Sequence, residues 1–222
     1  MPALYSLLAS SLVLLSVVSP ASPSATDESF IIAGYLPDYR AQHVGKHMAK
    51  VGPAVSDMIL FSAVPTAVGG LAHTDSVFPV RKVFRRAKRL LLGLGGAGRS
   101  SAFPALCASA DARSNLINNL LAVVTEHELA GVDFDWEAPG SEIEVRHYGL
   151  LLTETKAAFR KHGEARRARG IQRTANEMHG DLLVTVAMHD WQDLGTLTYE
   201  AVDRIHLMAY VPECVCVCVV WQ

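Results

Sequence analysis

The chain has 222 residues, half of them apolar and 19% charged, with a formal charge of -2. That is enough apolar material for one globular core, and the lack of a basic excess argues against a nucleic-acid partner.

Residues 4–18 form an apolar run rich in Leu, Val and Ser, followed by the small and proline residues of 20–25. The segment 1–25 reads as a secretory signal peptide, with an uncleaved anchor as the rival. The run is short for a membrane span and has no basic flank, so no stable span is expected. Residues 30–35 (FIIAGY), stopped by Leu36, Pro37 and Asp38, predict a first buried strand. Residues 57–64 (DMILFSAV) predict a second, with Pro65 and the Gly69-Gly70 pair as punctuation. From 77 to 89, Val80, Val83, Phe84 and Ala87 recur at helical spacing against five cations, which read as a solvated helix face.

Residues 90–96 (LLLGLGG) predict a third strand that runs into glycines. Neither a following Lys-Ser/Thr nor dinucleotide spacing is present, so a phosphate cradle is set aside. The apolar positions Leu116, Ile117, Leu120, Leu121 and Val124 mark an amphipathic helix over 111–128, capped by Asp111 or Ser114.

The helix delivers the chain to residues 129–140, LAGVDFDWEAPG, in which Asp133, Asp135 and Glu137 sit two apart with Val132, Phe134 and Trp136 between them or before. Strand side chains alternate between faces, so the three acids share one face and the apolar residues the other. The apolar face is expected to pack on helices and the acidic face to look into a barrel interior. Like charges held that close resist simultaneous ionisation, so at least one acid should keep its proton near neutrality.

A further helix is expected over 141–162, burying Val145, Tyr148, Leu151, Leu152, Ala157 and Phe159. The Arg-rich stretch 164–180 reads as an exposed insertion. Residues 182–188 (LLVTVAM) predict a fifth strand and 204–210 (RIHLMAY) a sixth, with a short helix near 197–202 between them. On the sixth, His206, Met208 and Tyr210 share a face. Cys107 stands alone, while Cys214, Cys216 and Cys218 alternate with valine in a low-complexity tail, residues 212–222. That spacing suits neither a mutual disulfide nor a zinc site, and no metal or cofactor is expected. Strands alternating with helices imply parallel strands covered by helices, an α/β fold.

The acidic segment resembles the signature of glycoside hydrolase family 18, the chitinases and their relatives, usually Asp-Gly-x-Asp-x-Asp-x-Glu. Gly131, Asp133, Asp135 and Glu137 match, Trp136 is the common residue before the glutamate, and Ala130 replaces the first aspartate. Gly34-Tyr35 resembles the end of the family's first strand; the tyrosine either lines a sugar pocket or sits in the core. Gly95-Gly96 resembles the third-strand Ser-x-Gly-Gly motif, with Gly93 at the serine position. Met208 and Tyr210 resemble the sixth-strand Met-x-Tyr-Asp motif, with Val211 at the aspartate.

The resemblance implies a (β/α)8 barrel of the TIM type over residues 26–211, of which about six of the eight units are read here. The chain without its signal is about 200 residues, against ~250 for such barrels. Strands seven and eight are absent from this reading, which leaves the edges of strands one and six unpaired.

The family implies a secreted glycosidase that cleaves β-1,4-linked N-acetylglucosamine polymers with retention, the substrate's own acetamido group acting as nucleophile. By that resemblance the catalytic residues are Glu137 as general acid, Asp135 on the acetamido N–H, Asp133 sharing a proton with Asp135, and Tyr210 on the acetamido oxygen. Met208, Tyr35, Trp136, Gly95 and Gly96 are the candidate substrate-binding residues. The alternatives are an inactive carbohydrate-binding module and a fragment that does not fold. The polymer is left open among chitin, a peptidoglycan sugar and the core of an N-glycan.

Overall fold

The computed structural model describes residues 31–40, 55–77, 89–170, 181–209 and 217–221. In chain order these form β1 (Ala33–Pro37), β2 (Asp57–Pro65), a two-residue β3 (Leu71–Ala72), a one-turn helix α1 (Thr74–Val77) and β4 (Arg89–Gly95). There follow α2 (Phe103–Ala108), α3 (Ala110–Glu126), β5 (Gly131–Asp135), α4 (Glu142–Ala168), β6 (Leu183–His189), α5 (Gly195–Ala201), β7 (Arg204–Ala209) and β8 (Val217–Trp221).

The sheet order is β1-β2-β4-β5-β6-β7-β8, with β3 paired antiparallel to the end of β2. From β1 to β7 every neighbouring pair is parallel. Parallel strands that follow one another in both sequence and space, with helices in the crossovers, are the winding of a (β/α)8 barrel. Six such strands are present among the described residues. The strands are apolar on both faces: β2 and β4 are buried almost throughout, as strands covered on both sides must be.

The outward faces build the main core. Leu60 of β2, Leu92 of β4, Phe134 of β5 and Val186 of β6 meet Leu116 and Leu120 of α3 and Tyr148 and Phe159 of α4. A smaller cluster of Ile59, Leu91 and Ala130, with Tyr35 and Leu183 against it, fills the inward side. Two N-caps set the helices that cover β5. Ser109 accepts from the Ala112 N–H at 3.2 Å, so the cap of α3 is neither Asp111 nor Ser114. Ser141 accepts from the Glu144 N–H at 3.3 Å while the Glu144 carboxylate accepts from the Gly140 N–H at 2.7 Å, a capping-box arrangement that starts α4 right after the acidic segment. Arg113 ties the helices together by a two-pronged bond to Glu154, at 2.9 and 2.8 Å, and a third bond to the Cys107 carbonyl. Burial pushes the Cys107 thiol up to about 12, so it stays a thiol.

Several boundaries differ from expectation. β1 lies at 33–37 rather than 30–35 and includes Pro37, which an edge strand tolerates at its end. Helix α1 ends at Val77, residues 78–88 of the expected basic helix lie outside the described residues, and Arg89 begins β4. Arg89 is drawn into the strand by its register partner Asp57, with which it forms an ion pair.

Helix α2 was not expected; Pro104 in its first turn is compatible with a helix start. Helix α4 runs to Ala168 instead of stopping at His162, because Ala165, Arg166, Arg167 and Ala168 are good helix formers and the two arginines face the negative end of the dipole. The exposed insertion is therefore helical in its first part; residues 171–180 lie outside the described residues. The sixth strand's edge is paired, since β8 lies antiparallel along β7 with Cys218 in register with Met208. The valine-cysteine alternation is thus a strand there, with Cys214 and Cys216 outside the described residues, as is the segment 1–25. Among the described residues no helix is long and apolar enough to cross a membrane.

At the end of the barrel opposite the acids, fully buried Asp57 accepts from both Arg89 and Arg204. Burial lowers the Arg204 guanidinium below its usual value, and the Asp57 charge works against that. Asp57→Ala would strand both cations, and it is expected to destabilise the fold by about 3–5 kcal/mol. A lower urea midpoint with unchanged slope checks it.

Candidate active site

β5 carries the site because its alternation divides core from cavity. Val132, Phe134 and Trp136 pack in the main core, which turns Asp133 and Asp135 to the opposite, inward face. The strand ends at Asp135, so Glu137 does not terminate it but stands two residues beyond, at the mouth, with 25% of its side chain exposed. This is the carboxyl-terminal end of the strands, where barrels of this type place their chemistry.

Asp133 is fully buried and anchored from three strands. Oδ2 accepts from the Tyr35 hydroxyl of β1 at 2.7 Å. Oδ1 accepts from the Thr185 hydroxyl of β6 and lies 3.0 Å from His206 Nδ1 of β7. The Tyr35 oxygen is also 2.9 Å from His206 Nδ1, which closes a ring of three groups.

Asp135 is held quite differently. Its Oδ1 is buried with no hydrogen-bond partner among the described residues. Burial first, then the charges of Asp133 and Glu137, raise its carboxyl to about 8. Asp135 is therefore the acid that keeps its proton near neutrality. Glu137 Oε2 lies 3.9 Å from Nε2 of His189, the last residue of β6, so a protonated His189 forms a loose ion pair with it.

The main chain around the acids is clamped to β4. Gly95 and Gly96 have φ of 98° and 94°, and the Gly96 N–H donates to the Asp135 carbonyl at 2.7 Å. A Cβ on Gly95 would overlap that carbonyl, and one on Gly96 would overlap the Phe61 ring. Both glycines let β4 approach β5 closely. The Ser100 hydroxyl lies 2.9 Å from the Gly96 carbonyl and 3.1 Å from the Asp135 carbonyl, and it accepts weakly from the Glu137 N–H at 3.4 Å.

Trp136 also departs from expectation. It is 3% exposed, stacked on Phe103 with ring centroids 5.3 Å apart and set edge-on to Tyr148 at 5.3 Å. It is a core residue on the helix-facing side and does not line the mouth. Tyr35 supports a carboxylate. Met208 is buried on the same face of β7 as His206. Tyr210 and Val211 lie outside the described residues.

Thr185, His189, Ser100 and Trp191 were not anticipated. Trp191 is 68% exposed beside the mouth, its ring stacked on His189 at 5.4 Å and 12°. Its turn is pinned by Gln192, whose side chain accepts from the His189 N–H at 2.5 Å and donates to the Trp136 carbonyl at 3.4 Å. Thr185 had a signal, as the one polar residue in the apolar run 182–188.

The family model described as glycosyl hydrolases family 18 matches residues 58–212. The Lotus japonicus class V chitinase CHIT5 is 38% identical over 65 residues, 29% of this chain and 16% of that protein. Endochitinase 1 of Metarhizium anisopliae is 29% identical over 129 residues, 58% of this chain and 29% of that protein. The chain thus spans less than a third of the length of either relative. A GH18 chitinase from Cycas revoluta, solved in complex with (GlcNAc)4, superposes with a TM-score of 0.64 at 20% identity, over 82% of this chain and 55% of that one. A family 18 N-acetylglucosaminidase from Paenibacillus barengoltzii does so with a TM-score of 0.64 at 19% identity, over 82% of this chain and 53% of that one. The structural likenesses show the barrel, and the matched residues run from β2 past the end of β7 with all three acids inside them. The chain belongs to glycosyl hydrolases family 18.

Proposed function

We propose that the chain is a glycosidase of the chitinase type, cleaving β-1,4-linked N-acetylglucosamine polymers with retention and with Glu137 as general acid. The observation that carries this reading is the division of labour among the three acids: Asp133 anchored, Asp135 buried and raised to about 8, and Glu137 partly exposed at the mouth. The relative from Cycas revoluta seen with (GlcNAc)4 supports the choice of sugar.

In this reading Glu137 donates its proton to the glycosidic oxygen while the substrate's 2-acetamido oxygen attacks the anomeric carbon, so no second enzyme carboxylate is needed as nucleophile. Asp135 hydrogen-bonds the acetamido N–H, and as its proton passes toward Asp133 its carboxylate balances the positive charge of the resulting oxazolinium ring. Water then opens the ring, with Glu137 taking its proton back as base. Tyr210, by family resemblance, donates to the acetamido oxygen.

The test is a reducing-end assay over N-acetylglucosamine oligomers, their deacetylated counterparts and cello-oligosaccharides, with product anomers followed by proton NMR. Turnover confined to acetylated oligomers, with β-anomer released first, is expected. Equal turnover of deacetylated oligomers would remove the substrate-assisted step. Binding of acetylated oligomers with no turnover would instead mark a carbohydrate-binding module.

A further inference from the structure

His206 is fully buried, lies on the inner face of β7, and has a role that neither the composition nor the three acids explain. Its Nδ1 lies 3.0 Å from Asp133 Oδ1 and 2.9 Å from the Tyr35 oxygen. The Tyr35 hydroxyl has one proton, and at 2.7 Å that proton goes to Asp133 Oδ2. Nδ1 therefore faces two oxygens acting as acceptors, and the proton on the imidazole belongs there. The far nitrogen, Nε2, is buried without a partner among the described residues, as an unprotonated acceptor tolerates better than a cationic N–H.

The neighbouring strand supplies nothing in its place. Gly93 is the register partner of Asp133 on β4, and it offers no side chain. A Cβ there would stand 3.1 Å from both the Leu60 carbonyl and the Phe61 ring. Among the described residues Asp133 accepts from Tyr35 and Thr185 and has His206 Nδ1 3.0 Å away, while the buried Oδ1 of Asp135 has no partner.

We propose that His206 is a positioning residue that, with its proton on Nδ1, donates into the Tyr35–Asp133 pair and so holds Asp133 fixed; its effect on turnover rests on the hydrolase reading, the placement of the proton does not. Among the described residues the ionisable groups sharing the inward face with His206 are Tyr35 of β1, Asp57 of β2, Arg89 of β4, Asp133 and Asp135 of β5, His189 of β6 and Arg204 of β7. Of these, Tyr35 hydrogen-bonds it and Asp133 Oδ1 lies 3.0 Å from its Nδ1.

The first arm of the test is 15N NMR of the histidine-labelled full chain, with the His206 signal assigned by its loss in His206→Asn. A neutral ring protonated on Nδ1 is expected, and protonation on Nε2 alone would overturn the proposal whether or not the protein turns over sugar. The second arm compares kcat of His206→Asn, whose amide can donate near the Nδ1 position, with that of His206→Phe. The asparagine variant should stay within about threefold of the parent, and the phenylalanine variant should lose about tenfold or more with KM nearly unchanged. The basic limb of the His206→Phe pH profile should also move while that of His206→Asn does not. A folded His206→Phe protein with parental kcat and profile would overturn it; if that variant does not fold, the NMR result decides. A parent protein that hydrolyses no oligomer defeats the hydrolase reading and leaves the Nδ1 assignment to be judged on the spectrum.

Discussion

Glu137→Gln is expected to lower turnover of N-acetylglucosamine oligomers by about 100-fold to 10,000-fold, the contribution of a positioned general acid. Glutamine has the shape of the protonated glutamate but no proton to deliver to the glycosidic oxygen, so the bond-breaking step fails while the cleft stays as it was. KM should therefore change little, and oligomer binding by calorimetry should persist. The side chain is a quarter exposed and among the described residues makes only a 3.9 Å approach to His189, so the substitution is expected to leave the far-ultraviolet spectrum and the melting temperature unaltered. Initial rates by reducing-end assay decide the matter. A variant that keeps a tenth or more of the parental rate, about 10% on that scale, is incompatible with the assigned role.

Asp135→Asn should separate activity from stability. The Asp135 carboxyl is raised to about 8 in the fold by burial and by its two acidic neighbours, whereas in the unfolded chain it has its ordinary value near 3.8. Between those values the native state holds a proton that the unfolded state has released, so stability falls as pH climbs from about 4 to about 8 and is level above. Asparagine cannot ionise and removes that decline. The two proteins should melt together near pH 4, and the variant should gain steadily thereafter. At pH 8 the gain is on the order of 5 kcal/mol, or roughly 10 °C in melting temperature for a chain of this size. Activity should move the other way, down about a hundredfold, through loss of the charge that balances the oxazolinium ring. Melting curves across pH 4–9 check it, and a variant no more stable than the parent at pH 8 would refute the buried, like-charged environment.

The acidic segment was legible because two cues agreed: a two-residue period, which needs only strand geometry, and a spacing shared with a known family. Where two cues disagreed, local geometry prevailed. Trp136 was assigned to a sugar pocket by its place before the glutamate, yet its parity with Val132 and Phe134 put it on the buried face, and that is where it packs. Gly95 and Gly96 were legible as a strand end, but their partner was not, because the close approach to Asp135 depends on the β4–β5 register. His206 was seen to share a face with Met208, whereas its contact with Tyr35 joins strands 171 residues apart and exists only once the sheet curves. Thr185 and Ser100 act through single hydroxyls whose partners are set by tertiary placement, so even the polarity that marks Thr185 in an apolar run does not name its partner. The helix past His162 was missed because the Arg-rich composition masked good helix formers that continue α4.

The wedging of Trp136 between Phe103 and Tyr148 ties the placement of Glu137 to the packing of the interior. The peptide that leads into Glu137 is steered by how three rings nest under α2 and α4, together with the Ser100 hydroxyl and the Gln192 side chain. Trimming Phe103 or Tyr148 would therefore read out as a kinetic lesion as well as a thermodynamic one, and enzymologists mapping this cleft would find some of its determinants well away from the sugar.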